Sequence, residues 1–125
     1  MVWNRKIAYI DLSNRRVAQK PIPKEMRTLF LGGRGIDRYL LYNRVKPSID
    51  PLSPGNVLFI GAGLLGGIPC LGSGRCDIAA KSPLTGAVGD SNISGFFGVE
   101  LRLAGFDQLV VSGKGAKPRY IWISD

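Results

Sequence analysis

The chain has 125 residues, enough for one domain with one core, and 45% of them are hydrophobic. No apolar run approaches the roughly 20 residues of a membrane span. The start Met1-Val2-Trp3-Asn4-Arg5-Lys6 leads into no signal-type apolar stretch, and two cysteines make no disulfide framework; a cytoplasmic protein without a membrane partner is expected. The net charge of +8 is uneven: residues 1–46 hold 11 Lys and Arg against 3 Asp and Glu, and the remainder holds 6 of each. A basic half suits either an anionic partner or a solvated basic surface.

In chain order, Lys6 to Leu12 is rich in β-formers, Ser13-Asn14 is turn chemistry, and Val17 to Ile22 returns as a second strand. Lys24 to Phe30 reads as a helical turn or two, interrupted by Gly32-Gly33-Arg34-Gly35. A second helix follows over Ile36 to Val45, with Ile36, Leu40 and Leu41 at helical spacing. Pro51 to Asn56 is a loop, and Val57 to Ile60 is a short apolar run that predicts a buried strand. Gly61 to Gly74 reads as irregular, Arg75 to Lys81 as a strand, and Gly95 to Ala104 as a helix that Gly105 ends. Gln108 to Ser112 and Arg119 to Ser124 read as a closing hairpin. The order ββ-α-ββ-α-ββ predicts an α+β fold of antiparallel sheets with two helical segments, near residues 24–45 and 95–104.

The 17 glycines, about twice the usual share, gather into turns with chemical possibilities. Gly61-Ala62-Gly63-Leu64-Leu65-Gly66 matches G-x-G-x-x-G after a strand. Gly67-Ile68-Pro69 follows where a helix should open, and no acidic residue stands about 20 positions on, so a dinucleotide site is not expected. Gly32-Gly33-Arg34-Gly35 reads either as an anion-binding helix start or as a tight helix-to-helix turn. Gly72-Ser73-Gly74-Arg75 offers a guanidinium fork after a flexible turn, or a plain surface arginine. Gly89 to Gly95 leads into a helix as a second phosphate-capable start, or as simple capping. With no His, Cys70 and Cys76 read as small buried hydrophobes rather than metal ligands. Trp3, Tyr9 and Trp122 read as strand residues, not as a stacking platform, so no nucleic-acid partner is expected. No nucleophile and base are paired, and no catalytic residue is assigned.

Taken together, the opening hairpin IAYIDLSNRRV, the turn LGGRG, DPLSPGNVLFIGAG, and above all GSGRCDIAAKSPLTG followed by SNISGFFGVELRLAGFDQLVVSGKGAKPRYIWI resemble the aldehyde ferredoxin oxidoreductase family over nearly the whole chain. The resemblance implies a tungsten- or molybdenum-bearing bispterin beside a 4Fe-4S cluster, oxidation of aldehydes to acids, and electron transfer to ferredoxin. It implies a first domain whose β-sheets form a base under the pterins. By resemblance, Arg75 lies between cluster and pterin. Asn92 gives its backbone carbonyl to a magnesium ion that links the pterin phosphates, which would let Asp90 sit beside an anion. Gly74, Ser94 and Gly95 complete the cofactor-facing set. The family often has an aromatic residue after the arginine, where this chain has Cys76.

The resemblance also places the cluster cysteines, a second magnesium-contacting carbonyl and the aldehyde pocket in later parts of the enzyme. Residues 1–125 are therefore expected to be one partial, cofactor-binding N-terminal domain, not catalytic alone and retaining no metal or cluster in isolation. Such a domain would need the remaining enzyme domains, a partner subunit or copies of itself against its uncovered apolar face. The alternative is a non-catalytic assembly module docking on a larger redox subunit.

Overall fold

The computed structural model describes residues 5–124; Trp3, read above as a strand residue, lies outside them. The elements are β1 (Lys6–Asp11), β2 (Arg16–Pro21), α1 (Lys24–Phe30), α2 (Arg34–Arg44), β3 (Val57–Ala62), β4 (Cys76–Lys81), β5 (Val88–Ile93), α3 (Phe97–Leu103) and β6 (Gln108–Ser112). The strands form one six-stranded sheet in the order β2-β1-β6-β3-β4-β5. Among the described residues, no helix is long and apolar enough to cross a membrane.

Alternation along the strands explains why the sheet is covered on both sides. Ile7, Phe59, Ala79 and Val110 face one core with Met26 of α1 and Ile36, Leu40 and Leu41 of α2. Their neighbours Ala8, Ile60, Cys76 and Leu109 face a second core with Leu101 of α3. Central strands buried on both faces read as unbroken apolar runs; in the VLFI of β3 this holds for Phe59 and Ile60, while Val57 is half-buried and Leu58 is exposed. Each large side chain so buried contributes roughly 1.5–3 kcal/mol.

The α+β class holds, with three corrections to the expected order. The observed order is ββ-αα-βββ-α-β, with its three helices inside the two expected helical segments and a third strand before α3. The sheet is mixed, because β1 and β6 run parallel, from Ile7 opposite Gln108 to Asp11 opposite Ser112. The closing hairpin does not form. β6 is bonded to β1 on one side and β3 on the other, so no free edge remains for residues 119–124, which carry no regular structure. In its place Val88–Ile93, where the sequence suggested only a glycine-flanked lead into a helix, is a strand antiparallel to β4.

Candidate functional site

The glycine-rich segments converge at one end of the sheet, where β3 and β5 finish and β4 and α2 begin. Gly33, at φ 47°, lies so close to β3 that a β-carbon there would sit 3.4 Å from the Ala62 carbonyl oxygen and 3.5 Å from the Gly63 α-carbon. The next loop is tied on in turn: the Gly63 amide donates to the Arg75 carbonyl at 3.0 Å. Gly74, at φ 87°, leaves only 3.2 Å between a notional β-carbon and the Gly95 carbonyl oxygen. Four segments far apart in sequence thus form one backbone platform.

Arg75 and Asn92 meet on it. The Arg75 Nη1 donates to the Asn92 Oδ1 at 2.8 Å, and both residues are exposed. Asn92 sits on β5 directly opposite Asp77 of β4. Ser94 follows it at the surface, and nothing lies within 4 Å of the β-position of Gly95. The platform therefore offers a cationic fork and open backbone groups to solvent.

Behind this surface lies an ionic cluster that the sequence did not foretell. Arg34 and Arg38 stand one turn apart on α2 and both reach Asp77 and Asp90. Arg34 donates Nε to Asp77 Oδ1 at 3.1 Å and sets Nη2 3.2 Å from Asp90 Oδ2. Arg38 places Nη1 3.1 Å from Asp77 Oδ2 and Nη2 2.9 Å from Asp90 Oδ2. The carboxylate of Asp90 is thus answered by two arginines, so the bridging cation invoked above is not needed to explain it. Arg34 itself serves the helix-to-sheet joint, and Gly35 serves the α1–α2 turn, where a β-carbon would sit 2.8 Å from the Phe30 carbonyl oxygen. Equal spacing of Arg34 and Arg38 along one helix face was the available signal; their partners lie 39 or more residues away.

Asp37 and Gln108, both 0% exposed, fill the space beneath. With its amide nitrogen turned to the carboxyl, Gln108 donates to Asp37 Oδ1 at 2.6 Å and to the Ile60 carbonyl at 3.3 Å. Burial first, and the nearby Asp77 charge second, push the Asp37 carboxyl up to about 8. The folded state therefore keeps a proton that the unfolded chain releases near pH 4, so stability falls as pH rises from about 4 to 8. Its slope approaches about 1.4 kcal/mol per pH unit across that window. Asp37→Asn is expected to flatten this fall in urea titrations at pH 5 and pH 8; equal losses in variant and wild type would contradict the protonated assignment.

Of the cysteines, Cys76 is buried as expected, and burial followed by the Asp37 and Asp77 charges pushes its thiol up to about 12. Thiolate chemistry is remote there. Cys70 is exposed, contrary to expectation, because it lies in the open loop after β3. Among the described residues no three His, Cys, Asp or Glu are grouped to hold a metal. The run Lys81-Ser82-Pro83-Leu84-Thr85-Gly86 lies at the opposite end of the sheet and is architectural. Lys81 Nζ donates to the Pro47 and Ile49 carbonyls at 2.6 and 2.7 Å, and Ser82 Oγ accepts from the Leu84 and Thr85 amides.

Residues 7–125 match the family model described as the aldehyde ferredoxin oxidoreductase N-terminal domain. The chain belongs to the aldehyde ferredoxin oxidoreductase family. It is 43% identical over 123 residues to the tungsten-containing aldehyde ferredoxin oxidoreductase of Pyrococcus furiosus, a match covering 98% of this chain and 20% of the relative. The corresponding protein of Thermococcus kodakarensis is 40% identical over the same shares. The aliphatic sulfonate oxidoreductase WOR-like subunit of Pyrococcus furiosus is 32% identical, with 97% of this chain and 20% of that protein covered. The active-site complex BamBC of benzoyl coenzyme A reductase, solved with 1,5-dienoyl-CoA, superposes with a TM-score of 0.88 at 32% identity. That superposition covers 91% of this chain and 18% of the other. The chain thus spans about a fifth of the length of the relatives it matches.

Proposed function

We propose that residues 1–125 act as one cofactor-binding unit of an aldehyde-oxidising enzyme, with the glycine platform facing a tungsten- or molybdenum-bearing bispterin. The observation that carries this reading is the pairing of Arg75 with Asn92 over converging backbone. Pterin phosphates are anionic, and the platform answers them with a planar guanidinium and a backbone that glycine leaves uncovered. The two carboxylates nearby, Asp77 and Asp90, are both paired with Arg34 and Arg38, so neither stands as an unanswered negative charge against an anion. These residues fit the group.

In this reading Arg75 would hold the pterin on the side of a 4Fe-4S cluster, and the Asn92 carbonyl would serve a magnesium ion that accompanies the pterin phosphates. Gly74, Ser94 and Gly95 line the same face. The metal-bearing cofactor, when bound, supplies the two-electron oxidation of aldehyde to acid; this chain binds and orients it. Relatives named as tungsten-containing enzymes support the tungsten form. Ferredoxin as electron acceptor, a cytoplasmic location, and association with further domains, a partner subunit or its own copies belong to the same reading. The complex named for the BamBC neighbour is consistent with assembly on other chains.

Arg75→Lys keeps the charge and loses the planar fork. In the enzyme assembled around this domain, tungsten or molybdenum retained per molecule is expected to fall about tenfold on dilution, as for other groups supporting a bound metal. Wild-type metal content by elemental analysis would return Arg75 to an ordinary surface role.

A further inference from the structure

Strand β5 has a weak hold on the fold. It lies at the sheet edge, bonded on one side to β4, and only Gly89 and Ile93 are even half-buried. Yet it carries Asn92 and delivers the chain to Ser94 and Gly95. The residues that tie it to the helix layer are Arg34 and Arg38, which both contact the same Asp90 oxygen at 3.2 and 2.9 Å.

The same two guanidinium groups grip Asp77, which is 3% exposed, on the neighbouring strand. Asp77 stands opposite Asn92, and Asp90 precedes Asn92 by two positions on the same strand face. Asn92 is therefore flanked, along the strand and across it, by the two carboxylates the arginines hold. A lone pair between exposed charges would matter little. Two planar forks, each bridging two strands and anchored on a buried carboxylate, restrict direction as well as distance.

We propose that Arg34 and Arg38 are positioning residues, which act through Asp77 and Asp90 to fix edge strand β5 and thereby hold Asn92 against Arg75 for an anionic cofactor. This rests on the reading above for the cofactor, but the mechanical claim stands on this chain's own contacts. Without the clamp, β5 keeps its β4 ladder and loses its tether to α2. The Arg75–Asn92 bond then opens more often, and the carbonyl and amides of residues 92–95 sample more directions.

The test uses the 125-residue chain and the variants Asp90→Asn and Asp90→Glu, at a strand position exposed enough to tolerate both. Asp77 keeps both arginines in each, so the core is undisturbed. Two signals are read by NMR: hydrogen exchange of the β4-bonded amides of residues 88–93, and the Arg75 guanidinium resonances. Asp90→Asn is expected to speed exchange in β5 about tenfold, leave β1 and β6 at wild-type rates, and average the Arg75 resonances. Asp90→Glu retains the carboxylate and is expected to recover most of both signals. Unchanged β5 exchange in Asp90→Asn overturns the proposal. Faster exchange with wild-type Arg75 resonances also overturns it, because the network would then be structural alone. Failure of the cofactor reading shows up separately, as full metal retention in Arg75→Lys with this exchange pattern intact.

Discussion

Gly61→Ala is expected to destabilise the chain by about 2–4 kcal/mol, although it adds one methyl group to a strand. Gly61 pairs with Asp77 on one side and Gln108 on the other. A β-carbon there would lie 2.5 Å from Asp37 Oδ2 and equally close to the amide end of Gln108. These are side-chain ends, which ordinarily swing away at little cost. Here both side chains are fully buried and bonded to each other at 2.6 Å, so moving either strands a polar group without water. Urea denaturation at pH 6, where Asp37 holds its proton, measures the loss. A cost below about 1 kcal/mol would mean that the polar pair repacks freely.

Arg102→Met is expected to cost more, about 3–5 kcal/mol. Arg102 is 5% exposed and enters from α3 beneath the loop that follows β3. Its Nη1 donates to the Gly63 and Leu64 carbonyls at 3.0 Å each, and Nη2 lies 3.5 Å from Asp107 Oδ1. Methionine fills similar volume but leaves two carbonyls and a buried carboxylate behind. The damage should reach the platform, because Gly63 is the link between Gly33 and Arg75. Calorimetry measures the stability loss, and exchange of the Gly63 and Gly66 amides localises it. A near-neutral variant would show that Arg102 only fills space.

What the sequence disclosed follows from where the information lies. Ile36, Leu40 and Leu41 recur with helical period, so α2 was legible; the apolar run VLFI marked β3, which is buried from Phe59 to Ala62 although Leu58 is exposed. Strand β5 was not legible, since VGDSNI lies at an exposed edge and has no apolar alternation to announce it. Residues 119–124 have strand-like composition, but strand pairing depends on a free edge, and β1 and β3 take both edges of β6. The first glycine of the G-x-G-x-x-G match has a reason the motif does not contain: it makes room for Asp37 and Gln108. Arg75, Asn92, Gly74 and Gly95 were all named from family resemblance, and the fold does bring them side by side. The cluster of Arg34, Arg38, Asp77 and Asp90 lay hidden because helix and strands meet only in three dimensions.

Anomalous diffraction at the tungsten L3 edge, on crystals of the enzyme containing this domain, locates the metal relative to the glycine platform. A tungsten peak is expected over the end of the sheet formed by Gly33, Gly63, Gly74 and Gly95, with Arg75 the foremost cation of this chain toward it. A peak over the opposite end, beside Lys81 and the loop it holds, or one remote from this domain altogether, would contradict a platform that faces the cofactor.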